Sequence, residues 1–532
     1  MDRIAAAFGV EGLVMDLGTV LRWTAARHPH RRAIGGDKPF TYAEWDAHTD
    51  RLAAALVESG VRRGDRIVLM LAGGEPLASL HMAAQKIGAI SVPLSTRLAP
   101  TELAYCVADC SPALVVDDDS TAGSVDEALA GAAPVARVRS GAVAADTIER
   151  SAARKTGLPP TRVMRGDISV LLYTSGTTGR PKGVPRSHEA EHYASLAHLL
   201  QSGQSRLDIT LGVMPLFHTM GLRTLLATVV GGGTWVPLVQ FEADAALELI
   251  IAERVNMLFL VPTIYWALLQ TGRFASADSV RKIAYAGASM TPDLIQSLVS
   301  ELAPESFVNH VGSTEIYTFT VGANMLAKPG CAGRAGVFSR TRLVAVDPTA
   351  GPEDIVAPGE QGQLAVCLDS AEAFKGYWRR PDADARSIRQ GWYFPGDLAV
   401  QDDEGDLWIS GRVDDMINSG GENIFPDEIE RALRGCSVVR DLTVAGVADD
   451  RWGQAVTAFF VPHEGLSPER AIAALEEYAR VRSGLPSLKR PKRYIAVAEI
   501  PTSPVGKVLR RQLQAGRYTV LSGKTPHGPG ER

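Results

Sequence analysis

Cysteine is scarce in this chain of 532 residues: the five are Cys106, Cys110, Cys331, Cys367 and Cys436, and no two form a CxxC pair. That excludes a disulfide framework and a cysteine-rich zinc site, and it fits a reducing, cytoplasmic setting. Cys106 and Cys110 have helical i, i+4 spacing, which could serve a metal. No histidine or third cysteine is near them in sequence, so they read as packing thiols. Long apolar runs are also missing, which excludes a membrane-spanning helix. Met1 to Val10 has no basic region followed by an apolar run, so no secretory signal is read there. Nor is there an excess of one charge: 55 Lys and Arg against 60 Asp and Glu leave -5. The chain therefore has no electrostatic footprint for nucleic acid or an anionic membrane. Internal repeats and low-complexity blocks are absent.

What is present is alternation. Leu17 to Ala26 and Tyr42 to Ser59 have helical periodicity, the second behind Thr41 as N-cap. Arg66 to Leu71, Ala89 to Leu94 and Ala113 to Asp117 are short apolar strands, with a helix from Leu77 to Gly88 closed by glycine. Asp208 to Met214, Asn256 to Val261, Lys282 to Gly287 and Phe307 to Asn309 continue the strand pattern. Strands alternating with helices predict a doubly wound, mainly parallel α/β sheet. Ser120 to Arg165, rich in Ala, Gly and charge, reads as surface loop. Beyond Arg334 short β-type segments appear, Arg342 to Val346 and Gly362 to Leu368. Such a length needs more than one core. The expected division is a large N-terminal domain over 1–412, its β-rich part at about 334–412, and a small α+β domain over 413–532. The tail from Ser522 reads as disordered.

The stretch that organises the chain is Thr174-Ser175-Gly176-Thr177-Thr178-Gly179-Arg180-Pro181-Lys182-Gly183, directly after the buried strand Ser169 to Tyr173. Glycines let such a loop turn backbone N–H groups onto an anion, the hydroxyls add donors, and Lys182 adds charge. The Walker pattern is not met, because proline precedes the lysine and glycine follows it. Two further strand-end turns follow, Ala286-Gly287-Ala288 and Gly312-Ser313-Thr314-Glu315. Strand ends in an α/β sheet are where ligands bind.

The loop resembles the phosphate loop of the adenylate-forming (acyl-activating) superfamily, and the resemblance extends from about Leu17 to Leu513. It implies that Thr174, Ser175, Gly176, Thr177, Thr178, Gly179 and Lys182 hold the phosphates of ATP. Gly312-Ser313-Thr314-Glu315 resembles the family's GxTE turn, which makes Glu315 a hard oxygen ligand for Mg2+. An aromatic usually precedes that glycine and stacks on adenine; here His310 and Val311 stand there, and Val311 can still cover an adenine face. Asp397 in WYFPGD matches the carboxylate that accepts the ribose hydroxyls, and Arg412 in GRVDD matches the nucleotide-contacting arginine. Asp414 resembles the hinge about which the small domain changes pose, and Lys507 in PVGK resembles the catalytic lysine of adenylation.

From Gly411 onward the sequence is most similar to aryl-CoA ligases of the benzoate and 4-chlorobenzoate type, through GRVDDMINSGGENIFPDEIE, DDRWGQAVTAFFVP and KRPKRY. Ser419, Gly420 and Gly421 would let a pantetheine pass close to backbone. Trp452 can stack on adenine, while Arg490 and Lys492 can meet phosphates. His218, in PLFH, falls where such ligases keep a histidine near the acyl carboxylate; fatty acyl-CoA ligases share it. Ala286, Gly287, His310 and Ile316 join His218 as candidate acyl-pocket residues. The implied enzyme activates an aromatic carboxylate with ATP and Mg2+ and transfers it to coenzyme A. A carrier-protein thiol or a medium-chain or fatty acid is the alternative, and a homodimer is entertained as the assembly.

Overall fold

The computed structural model describes residues 16–131, 133–141, 147–157, 161–174, 180–323, 325–419, 422–502 and 508–521. Contacts divide the chain into two compact units, Met1–Thr341 with Val366–Tyr393, and Arg342–Ala365 with Phe394–Arg532.

In the first unit the expected apolar runs become parallel strands. Ile168–Thr174, Ile90–Pro93, Arg66–Met70, Leu114–Asp117 and Ala136–Arg139 lie side by side in that order, with antiparallel Lys182–Ser187 at the edge. A second sheet has a parallel centre, Ser306–Val311, Lys282–Tyr285, Met257–Leu260, Ile209–Gly212, Thr234–Pro237 and Arg32–Ile34. Parallel strands need helical crossovers, and those helices cover the faces; hence the strands are apolar throughout rather than alternating. One core joins both sheets. Ile67, Leu69 and Leu172 from the first and Ile34 and Trp235 from the second pack with Trp45, Leu77, Leu80 and Leu222. These last come from the helices Tyr42–Glu58, Gly74–Lys86 and Thr219–Gly231. Thr41 caps Tyr42–Glu58 through a reciprocal box with Glu44, as the Thr41 signal predicts.

Ser120 to Arg165 is not simply surface loop. It holds the helices Ala122–Leu129 and Ile148–Ala153 and the edge strand Ala136–Arg139. Alanine-rich segments propagate helix once Val125 and Ala128, or Ile148 and Ala152, have a core to enter. The edge strand is polar because Arg137 and Arg139 pair with buried Asp117. Cys106 and Cys110 are buried, and burial pushes both thiols up to about 12. They are packing groups, as expected.

In the second unit, Gln361 to Gln363 pairs antiparallel with Asp397–Gln401, which pairs with Leu407–Arg412. A separate mixed sheet contains the long hairpin Val439–Asp449 and Gly453–Pro462, with Arg493–Ala496, Ile417–Ser419 and Glu422–Ile424. The helices Pro426–Leu433 and Pro468–Val481 bury Ile429, Leu433, Leu475 and Ala479 in one core of this sheet. A second cluster gathers Phe459, Val461, Ile495 and Leu513.

Candidate active site

Thr174 and Lys182 are cross-strand partners at the mouth of the hairpin formed by Ile168–Thr174 and Lys182–Ser187. Ser175, Gly176, Thr177, Thr178 and Gly179, which stand between them in sequence, lie outside the described residues. The strand register alone therefore sets Lys182 directly opposite Thr174 at the end of the strand pair. Its ammonium sits 4.3 Å from the centre of the Tyr377 ring.

The other nucleotide and acyl candidates of this unit come together at one edge of the second sheet. Ile209–Gly212, Met257–Leu260, Lys282–Tyr285 and Ser306–Val311 run parallel, so the segments leaving their C-terminal ends share that edge. These segments carry His218, Ala286 with Gly287, and Val311 to Ile316. His218 is the N-cap of Thr219–Gly231, its Nδ1 accepting the Met220 N–H at 3.2 Å. The proton of the neutral imidazole is thereby placed on Nε2. Beside it lies an apolar cluster that includes Met214, Met220, Phe259 and Val261, with Ala286 packed against it. Only glycine fits at 312, because a Cβ there would stand 1.7 Å from the Tyr317 carbonyl oxygen. Ser313 Oγ accepts the N–H groups of Glu315 and Ile316, closing the turn. The Tyr377 hydroxyl donates to Glu315 Oε1 at 2.7 Å.

Under this turn is a buried ionic scaffold. Glu191, Arg186 and Arg223 have side chains with no exposure, and Glu191 pairs with both guanidiniums at 2.8 Å. Burial alone would raise the Glu191 carboxyl, but the charges of Arg223 and Arg186 outweigh it and hold it at about 2. Arg186 Nη1 also donates to the carbonyls of Thr314, Glu315 and Glu372, so the scaffold fixes the backbone of the turn itself. His310 is buried here, its Nε2 3.2 Å from Thr318 Oγ1, with the Tyr317 ring 4.4 Å away. Burial and the Arg223 charge push it down to about 3, so it is neutral. Thr318 donates to Glu372, which burial pushes up to about 7. Ile316 is fully buried and Gly287 exposed. The scaffold has no counterpart among the motif residues. Its one sequence signal is Arg223, a lone cation inside the apolar run Met220 to Val230, which demands a buried partner.

In the second unit, Asp397 and Arg412 face each other across a strand pair, and Arg412 donates to Asp397 Oδ1 and to the Pro395 carbonyl. Asp414 occupies the single turn Val413–Asp415 that follows the strand. Its neighbour Asp415 accepts from Arg510 at 2.6 Å, and Arg510 also reaches Glu430 at 2.8 Å. Lys507 lies outside the described residues, as do Gly420 and Gly421. Three coenzyme candidates converge at one end of the small sheet. Ser419 pairs with Gly453, and Trp452 tops the three-residue hairpin loop, which Gly453 closes at φ 72°. Lys492 lies 5.7 Å from the Trp452 ring centre. Arg490 instead donates to the Leu485 carbonyl.

No group of three or more His, Cys, Asp and Glu able to hold a metal occurs among the described residues. Glu315 as a single hard carboxylate nonetheless fits Mg2+, which takes one or two carboxylates plus substrate phosphates.

The family model for AMP-binding enzymes matches residues 21–378, and that for the AMP-binding enzyme C-terminal domain matches 428–507. The chain is 32% identical over 507 residues to the long-chain-fatty-acid–CoA ligase FadD13 of Mycobacterium tuberculosis, covering 94% of this chain and 98% of that protein. It is 30% identical over 514 residues to a 4-chlorobenzoate–CoA ligase of Arthrobacter sp, covering 93% and 94%. The ATP-bound crystal structure of MatB from Rhodopseudomonas palustris superposes with a TM-score of 0.85 at 27% identity, covering 95% and 99%. The chain therefore belongs to the AMP-binding enzymes of the adenylate-forming superfamily, and it is an AMP-forming acid–thiol ligase that uses ATP and coenzyme A.

Proposed function

We propose that the protein activates an aromatic, benzoate-like carboxylate as its acyl adenylate and passes it to coenzyme A. The observation that carries the activation of a carboxylate is the gathering at one sheet edge of His218, the Ala286-Gly287 turn and the Glu315 turn, beside an apolar cluster; the identity to the 4-chlorobenzoate–CoA ligase supports an aromatic acid. A carboxylate oxygen attacks the α-phosphorus of ATP and the bond to pyrophosphate breaks. A thiol then adds to the activated carbonyl and AMP leaves. Thr174, Lys182 and the loop between them would hold the phosphates, and Glu315 would hold Mg2+, which neutralises phosphate charge when bound. His218, with its proton on Nε2, would hold the acid's carboxylate by a charge-assisted hydrogen bond. Asp397 and Arg412 would meet the nucleotide. Trp452 and Lys492 would meet the coenzyme at the hairpin end where they converge. Lys507 would stabilise charge during adenylation, with Asp414 as the hinge and the boundary between large and small domains at 412/413. Positioning and charge neutralisation do the work, and no protein nucleophile is required.

A fatty acid as substrate is the second reading, favoured by the identity to the long-chain ligase. The test is a panel of benzoates, cinnamates and fatty acids, with AMP release measured on each in the presence of coenzyme A. The aromatic reading expects kcat/KM for the best benzoate or cinnamate at least tenfold above any fatty acid. The reverse order would replace it with the fatty-acid reading.

A further inference from the structure

Tyr377 has no place in the sequence motifs, yet it touches two of the groups assigned to ATP. Its hydroxyl donates to Glu315 Oε1 at 2.7 Å, and its ring face lies 4.3 Å from the Lys182 ammonium. The side chain is 5% exposed, so the ring is held in place by its surroundings. The segment that carries it is fastened on both sides. Phe374 N–H donates to the Glu315 carbonyl, and Ile316 bridges to Ala373. On the other side Trp378 N–H donates to the Gly183 carbonyl, one residue from Lys182. Asp384 accepts the Tyr377 N–H at 2.8 Å and fixes the residue from behind.

A glutamate can turn about three side-chain bonds, so an unrestrained Glu315 would lose entropy on meeting a cation. The Tyr377 hydroxyl removes that freedom beforehand by engaging one oxygen. Oε2 accepts no hydrogen bond among the described residues. A lysine on a four-carbon stem has the same difficulty, and an aromatic face beneath its ammonium narrows the search without neutralising the charge. Resting on the assignment of Glu315 and Lys182 to ATP, we propose that Tyr377 is a positioning residue for MgATP, setting Glu315 for Mg2+ through its hydroxyl and Lys182 for the phosphates through its ring.

The two contacts can be separated. Tyr377→Phe removes the hydroxyl and keeps the ring, whereas Tyr377→Leu removes both. The measurements are the Mg2+ concentration for half-maximal pyrophosphate exchange, ATP affinity by calorimetry with and without Mg2+, and the melting temperature. In Tyr377→Phe the Mg2+ half-saturation should rise about tenfold, the size expected for losing one hydrogen bond to a charged group. Its ATP affinity without Mg2+ should stay within about twofold of the parent, and Tyr377→Leu should weaken that as well. Adding Tyr377→Phe to Glu315→Gln should change the Mg2+ requirement no further than Glu315→Gln does alone. An unchanged Mg2+ requirement in Tyr377→Phe, with a shifted one in Glu315→Gln, would overturn the role of Tyr377 and leave the Glu315 assignment standing. A lower melting temperature with no change in Mg2+ requirement would do the same and make Tyr377 a packing residue. If Glu315→Gln also binds MgATP as the parent does, the assignment of Glu315 fails and the proposal with it.

Discussion

Glu372 shows how a residue outside every motif can set a property of the whole site. Burial pushes its carboxyl up to about 7, and its Oε2 accepts from Thr318, which also meets His310. A carboxyl with a raised folded-state value contributes stability that is fully present below its ordinary value near 4.5. That stability is lost as pH rises through about 7. Glu372→Gln keeps the shape of the neutral acid and cannot ionise. Melting curves should therefore coincide near pH 5, and by about pH 8.5 the parent should fall below the variant by a few degrees. Parallel curves over that interval would mean that Glu372 is ionised throughout. At this scale the sequence discloses residue types but not their surroundings. His310 is legible as a histidine beside the nucleotide turn, whereas Phe259, which packs edge-on against it, and the Arg223 charge that helps keep it neutral come from elements far away in sequence.

Elements carry the next layer. The central strands are legible because Ile67 to Met70 and Met257 to Leu260 are unbroken apolar runs, the mark of a strand covered on both faces. The helices Ala122–Leu129 and Ile148–Ala153 are not, since their alanines have weak hydrophobic contrast and their burial depends on a partner. The hairpin Val439–Asp449 and Gly453–Pro462 ends in a tight turn whose geometry lifts Trp452 toward Lys492. Trp452→Ala should raise KM for coenzyme A about tenfold, the scale of one lost aromatic stack, and leave pyrophosphate exchange with ATP and acid within twofold. Loss of exchange in this variant would place Trp452 in adenylation instead. Arg510, the first residue of the helix Arg510–Gln514, pairs with Asp415, directly beside Asp414. That pairing is invisible in the sequence, where the two residues are nearly a hundred positions apart.

For the whole molecule, the motifs identify a family, and within the first unit the strand order brings segments far apart in sequence to one end of a sheet. Two mainly parallel sheets share one core in the first unit, and Thr174, Ala286 and Gly312 lie at or directly after strand ends, where backbone groups converge. The acid is the least legible feature. A benzoate and an acyl chain both ask for apolar contacts and one carboxylate partner, and such contacts leave no fixed spacing in a sequence. The central claim is two half-reactions in one chain, adenylation before thiol transfer, with Lys507 serving only the first. The direct measurement is Lys507→Ala against the parent in two assays: pyrophosphate exchange with ATP and acid, and thioester formation from supplied acyl adenylate and coenzyme A. The account predicts roughly a thousandfold loss of exchange, the rate equivalent of one cation's stabilisation, with thioester formation retained within about tenfold. Equal loss in both assays would contradict it.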